Sequence, residues 1–75
     1  MRRYRIETPD DQSIKEVVER IYLEQPTEDV KALDSRVQDY YYEVEGITGD
    51  KLWRKVYHYC EEVIYEQTEK RLYGE

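Results

Sequence analysis

The sequence has few of the features that several common protein classes require. It contains one cysteine, two prolines, three glycines and no phenylalanine. A single cysteine excludes an internal disulfide and a zinc site built from several cysteines. No apolar run approaches the roughly 20 residues of a transmembrane helix. The basic start at Arg2 and Arg3 has no apolar stretch behind it, so no secretory signal is expected either. The expected location is the reducing cytoplasm.

Positive charge is also scarce, because the sequence has 12 basic and 18 acidic residues and a formal net charge of -6. Proteins that bind the nucleic-acid backbone neutralise phosphates with lysine and arginine, so this balance argues against a general nucleic-acid binder. A chain of 75 residues has room for one small domain with a thin core. An enclosed catalytic cavity is therefore not expected.

Charged residues make up 40% of the chain, which is typical of disordered segments. Three segments nevertheless carry apolar residues at intervals of three and four, which predicts amphipathic helices over about 9–25, 28–45 and 51–72. The N-caps are expected at Thr8, at Thr27 and at Thr48 or Asp50, and Gly46 is placed to end the second helix. The predicted inner stripes are Ile14, Val17, Val18 and Ile21, then Val30, Leu33, Val37, Tyr40, Tyr41 and Val44, then Leu52, Trp53, Val56, Tyr59, Cys60, Val63, Ile64 and Gln67.

Residues 1–8 have a different pattern, because Tyr4 and Ile6 alternate with charged residues. This alternation is typical of a short extended arm or an edge strand. We therefore predict an all-α fold: a small three-helix bundle with a short N-terminal extended arm, forming a single domain over 1–75. The alternative is an α+β fold in which the arm pairs with the tyrosine-rich run 40–44, whose residues favour strands.

The residues that could perform catalysis are too scattered to form a site. His58 and Cys60 are two positions apart, which on a helix points their side chains roughly 200° from each other. They cannot act together as a base and a nucleophile. One histidine with dispersed carboxylates is also a poor metal site. We predict no enzymatic activity, no cofactor and no metal.

The segment from Gly46 through Ile47 and Thr48 into the helix near Lys51 is similar to the turn and recognition helix of helix-turn-helix DNA-binding proteins. That resemblance implies a turn at Gly46, a core contact from Ile47 and a DNA-facing helix surface. The position four before the glycine is small in that family and is Tyr42 here. The face that would meet DNA consists of Lys51, Arg54, Lys55 and His58, and a DNA-binding regulator is the alternative function. Internal pairing of these bases with Glu43, Glu45 and Asp50 is the competing interpretation.

Nine tyrosines are the most unusual feature of the composition. Tyrosine is enriched in interface cores, and helical spacing places Tyr42 and Tyr65 outside the predicted stripes. We predict a small acidic helical protein that acts by binding another protein, a class that includes inhibitors and DNA mimics of mobile elements. We also expect a homodimer, because a thin core with surplus aromatic residues gains from association. The candidate partner-binding residues are Asp10, Asp11, Glu28, Asp29, Asp39, Tyr42, Glu43 and Tyr65.

Overall fold

A computed structural model describes residues 3–73 and has the predicted architecture, a small three-helix bundle preceded by an extended arm. The helices are α1 (Asp11–Glu24), α2 (Val30–Tyr40) and α3 (Asp50–Tyr73), and a π-helical turn over Tyr41–Glu45 continues α2. Strands β1 (Arg5–Ile6) and β2 (Ile47–Thr48) have two residues each. No helix within residues 3–73 is both long enough and apolar enough to cross a membrane.

The arm pairs with the chain just beyond the tyrosine-rich run. Strands β1 and β2 are parallel, with Arg5 opposite Ile47 and Ile6 opposite Thr48. The Arg5 N–H donates to the Gly46 carbonyl at 3.0 Å, and the Glu7 N–H donates to the Thr48 carbonyl at 3.2 Å. The arm is thereby fixed beside the beginning of α3. Pairing with residues 40–44, the predicted alternative, does not occur because those residues are helical.

Aspartates cap the first two helices, and the predicted threonine caps were wrong. The Asp10 carboxylate accepts from the Ser13 N–H at 2.8 Å. Asp29 accepts from the N–H groups of residues 31 and 32 at 3.0 and 3.4 Å. Thr27 instead accepts from the Asp29 N–H at 3.1 Å and shapes the turn before the cap. A carboxylate supplies both an acceptor and a negative charge at the positive helix end, which favours aspartate at these positions.

The third helix begins at Asp50, so Thr48 is not its cap. Gly49 immediately precedes this helix, and its carbonyl accepts a hydrogen bond from the Trp53 N–H at 3.0 Å. Thr48 lies in β2, and its hydroxyl donates to the Tyr42 hydroxyl at 3.4 Å. Asp50 lies in the first turn, where its negative charge suits the helix end.

The core runs along the inner faces of all three helices and includes Ile47 from β2. Most of the predicted stripe positions are buried or packed against buried residues, and Leu23 is exposed as its position outside the stripe predicts. Tyr22, which was not among the predicted stripe positions, is also part of the core. The buried residues are Ile14, Val18, Tyr22, Leu33, Val37, Tyr41, Ile47, Leu52, Val56, Cys60, Val63 and Ile64.

The π-helical turn explains the one clear error in the predicted stripes. Regular α spacing places Val44 in the stripe of Val37 and Tyr41, yet Val44 is 67% exposed. The Gly46 N–H bonds to the Tyr41 carbonyl, five residues back, so the turn holds one residue more than an α turn. That extra residue rotates the following side chains out of register. Gly46 then ends the helix with φ 67°, a left-handed conformation that favours glycine.

Helices α1 and α3 run in the same direction and are joined by charged side chains, which we call the ion-pair seam. Lys55 lies 2.5 Å from Asp11 near the start of both helices. Lys15 follows, 3.4 Å from Glu66 and 3.9 Å from Glu62. Another side of α3 packs against α2.

Candidate partner-binding groove

Four aromatic side chains form a line from the arm to the surface between α2 and α3, which we call the aromatic row: Tyr4, Tyr42, Trp53 and Tyr57. The Tyr4 and Tyr42 rings meet edge to face with centroids 5.0 Å apart. The Tyr42 and Trp53 centroids are 5.3 Å apart. Tyr57 follows Trp53 by one helical turn of α3, on the same side of the helix. Contacts of this kind stabilise aromatic pairs beyond their burial alone.

The row continues into an open groove between α2 and the first half of α3. Trp53 and Tyr57 contribute two of its lining side chains, and the others are polar or charged. The groove is shallow and widely open to solvent, with a volume of about 620 Å³. The full set of lining residues is Asp34, Gln38, Asp50, Trp53, Arg54 and Tyr57.

Asp34 carries the most unusual polar group of the groove. One carboxylate oxygen accepts a hydrogen bond from the Gln38 side chain at 2.8 Å. The other oxygen is buried and has no hydrogen-bond donor. Partial burial raises the pKa of Asp34 above its ordinary value, although the Gln38 bond acts in the opposite direction. An acceptor left unsatisfied in this way is costly to the fold, so its retention needs a reason.

The π-helical turn is the local reason that the aromatic row exists. It places Tyr42 in the space between Tyr4 and Trp53, where the ring is half-buried. Tyr42 thus lies outside the buried core, as its position outside the predicted stripe implies, but Tyr4 and Trp53 cover part of its ring. The close succession of three tyrosines was a visible signal, but the shift in register that orders them was not.

The structure gives four of the predicted partner-binding carboxylates roles within the fold. Asp10 and Asp29 are the N-caps of α1 and α2. Asp11 pairs with Lys55, whose hydrogen bond lowers the pKa of the Asp11 carboxyl. Glu28 lies 3.5 Å from the Arg71 guanidinium. All four side chains lie at the surface, and their part in binding a partner stays a prediction.

The remaining predicted residues are exposed in α2, in the π-helical turn and in α3. Asp39 is exposed on α2, and Glu43 is exposed in the π-helical turn. Tyr65 is 64% exposed on α3, as predicted, and its hydrogen bond with Glu69 raises the pKa of its hydroxyl. Tyr65 lies two turns beyond Tyr57 and is not part of the groove lining.

The predicted DNA-facing surface is only partly available. Lys51, Arg54 and His58 are exposed on α3, whereas Lys55 is half-buried and turned toward Asp11. That hydrogen bond raises the pKa of Lys55. Pairing of the bases with Glu43, Glu45 and Asp50 was the competing interpretation. The observed partner of Lys55 is Asp11, and within residues 3–73 neither Lys51 nor Arg54 has an acidic partner within 4 Å.

The two residues considered for catalysis lie in different environments. Cys60 is buried in the core, and desolvation raises the pKa of its thiol to about 12, which keeps it protonated and unreactive at neutral pH. His58 is exposed, with its ring 4.9 Å from that of Tyr59. Among residues 3–73 no three side chains of histidine, cysteine, aspartate or glutamate lie close enough together to hold a metal ion.

Comparison with known proteins does not identify a family or a function for this chain. The chain matches no protein-family model, no curated protein and no solved structure. Its function must therefore be argued from the residues themselves.

Proposed function

We propose that this protein acts by binding another protein, and that the aromatic row and the adjoining groove form the centre of the contact. The observation that carries the proposal is the position of Trp53, the only tryptophan of the sequence, in the wall of an open groove with Tyr42 packed against it. Tryptophan, tyrosine and arginine dominate the binding energy of protein interfaces. The groove combines all three residue types in one place.

Exposed apolar side chains near the row support the proposal. Ile6 is 86% exposed beside Gly49, at the beginning of α3. Tyr4 and Tyr57, at the two ends of the row, are 41% and 39% exposed. Contiguous apolar surface of this kind often marks a site of protein interaction. Because the rings are already packed against one another, a partner would order few side chains on binding.

The proposal can be tested by incorporating a photo-crosslinking amino acid into the protein while it is expressed in its native host. We expect the reagent at Tyr57 to give a crosslinked protein partner, and we expect this product to disappear when Trp53→Ala is added. The same reagent at Tyr65, on the same helix but away from the groove, is the comparison. Circular dichroism establishes that each variant keeps its helices. Crosslinking at Tyr65 alone would contradict the groove and favour the surface predicted from the sequence.

The acidic character of the protein would then act mainly on the rate of encounter. A net charge of -6 attracts a basic partner over a distance and accelerates association at low salt. Inhibition of a host protein and mimicry of DNA are more specific forms of the same proposal. The substitution Asp39→Lys tests these two forms of the proposal, because it reverses the charge of an exposed residue that neither caps a helix nor belongs to the groove lining.

A DNA-binding regulator is the second candidate function, and local geometry favours it at two points. Gly46 is left-handed and Ile47 is 2% exposed, as the helix-turn-helix resemblance implies. Binding to duplex DNA at low ionic strength, lost in a Lys51→Glu, Arg54→Glu double variant, would support this candidate. Absence of any gel shift under those conditions would remove it.

Self-association is a separate proposal that does not depend on the groove. Tyr65 and Leu72 are 64% and 69% exposed and are seven residues apart, which places them on one face of α3. Such a face can be covered by a second copy of the chain. Sedimentation equilibrium would show a dimer at micromolar concentrations, and a monomer throughout that range would contradict it.

A further inference from the structure

The lining of the groove carries more negative than positive charge, which favours a positively charged ligand. Two carboxylates, Asp34 and Asp50, face one guanidinium, Arg54. Because the lining carries one more carboxylate than guanidinium, one carboxylate of the groove has no counter-ion among the lining residues.

Asp34 is also short of hydrogen-bond donors. Gln38 donates to one oxygen at 2.8 Å, while the second oxygen receives no donor. Rotation about χ2 exchanges the two oxygens, so a donor that arrives from the groove can take one while Gln38 keeps the other. A charged donor would satisfy both the missing hydrogen bond and the missing counter-ion.

The aromatic walls add a second reason for a cation. Trp53 and Tyr57 line the same groove as Asp34. Tryptophan and tyrosine rings attract a cation over their faces, and the planar guanidinium of arginine also stacks on them. A carboxylate that lies beside two such rings is the combination that binds a guanidinium from both sides.

We propose that the groove between α2 and α3 binds an arginine side chain of the partner protein, stacked on Trp53 and Tyr57 and hydrogen-bonded to Asp34. This inference rests on the proposed function and adds the chemistry of the partner. It also assigns a role to Arg54, which lies at the same groove and competes with the incoming charge. The protein's overall net charge of -6 acts in the same direction as Asp34.

The test uses blocked tripeptides Gly-Arg-Gly, Gly-citrulline-Gly, Gly-Lys-Gly and Gly-Glu-Gly, with a single-stranded oligothymidine as the nucleic-acid probe. Citrulline has nearly the shape of arginine without its charge, so it isolates the charge. The readouts are the NMR shifts of the Trp53 indole and of the Asp34 carboxyl carbon in the full chain. We expect the arginine peptide to move both signals and to bind at least about fivefold more tightly than the citrulline peptide.

Three variants distinguish the effect of the groove on peptide binding from the effect of the protein's overall negative charge. Asp34→Asn should weaken binding of the arginine peptide about fivefold to tenfold. Glu61→Gln removes one exposed carboxylate of α3 that does not line the groove, and it should leave binding unchanged. Arg54→Gln should strengthen binding, because it removes the competing guanidinium.

The outcomes distinguish this inference from the proposed function. Equal binding of the arginine and citrulline peptides would overturn selection for a cation while leaving the groove as a binding site. An equal loss in Asp34→Asn and Glu61→Gln, or a stronger effect of the glutamate peptide or of oligothymidine, would also overturn it. If no peptide moves either signal, the arginine inference fails, and crosslinking at Tyr57 still decides the proposed function independently.

Discussion

Along one side of α3, charged side chains form ion pairs with those of α1, although one oxygen of Glu62 is buried there without a hydrogen-bond donor. Along the other side, between α2 and α3, a carboxylate oxygen lacks a donor and aromatic rings stay half open to solvent. Among the described side chains, no ion pair joins α2 to α3. The comparison teaches that one helix can carry two unlike surfaces, one with ion pairs to its neighbouring helix and one without them.

The largest expected difference between the two sides is in stability. Ile14→Ala removes a fully buried side chain of α1 and should lower the free energy of unfolding by about 2–5 kcal/mol. Tyr57→Ala in the groove should cost about 1 kcal/mol or less, because its ring is already 39% exposed. Urea unfolding followed by circular dichroism measures both. Equal losses would show that the groove belongs to the structural core.

Asp34→Asn should have a smaller effect and the opposite sign. The amide keeps the shape of the side chain but removes a charge whose burial is only partly compensated, so we expect stability to rise by up to about 1 kcal/mol. We expect the same substitution to weaken binding of the arginine peptide. A variant that is both less stable and unable to bind would indicate that Asp34 supports the fold instead of the site.

The smallest effect is a contrast in pH dependence between the two sides. The pKa of Asp11 is lowered by its hydrogen bond with Lys55, so its stabilising effect is present above the ordinary aspartate pKa and is lost as the pH falls through the lowered value. The pKa of Asp34 is raised, so ionisation of Asp34 destabilises the fold at neutral pH. This penalty decreases through the raised value and is gone below the ordinary pKa of 3.8.

Paired variants measure that contrast. At neutral pH, Asp11→Asn should be less stable than the parent protein and Asp34→Asn should be more stable. Both differences should shrink toward zero in acid, where the parent carboxyls are protonated. Unfolding curves recorded across the acidic range provide the values. If Asp34→Asn were also less stable than the parent at neutral pH, the two sides of α3 would not differ in the proposed way.

Helical spacing predicted most of the fold and little of the groove. The stripes of α1 and α3 and the exposure of Leu23 and Tyr65 follow from a regular period, which the sequence displays directly. The caps depended on competition between nearby acceptors, in which Asp10 and Asp29 prevailed over the threonines. Such competition depends on backbone angles that spacing alone does not give.

The aromatic row and the groove escaped prediction because their parts come from separate segments. Tyr4 lies in the arm, Asp34 in α2, Tyr42 in the π-helical turn and Trp53 in α3. The contact between Tyr4 and Tyr42 requires the parallel strand pair, and the groove requires the packing of α2 against α3. Asp34 was especially difficult to identify, since it lies one position after the core residue Leu33 and resembles any other acidic residue of the helix.

The π-helical turn also determines how the aromatic row can change in evolution. A π-helical turn is equivalent to one residue inserted into an ordinary helix. Loss of a single codon within 41–45 would restore the regular period, bring Val44 toward the interior and carry Tyr42 away from Trp53. The length of this short segment is thus a simple marker by which descendants of the chain that keep the contact between Tyr42 and Trp53 can be told from those that have lost it.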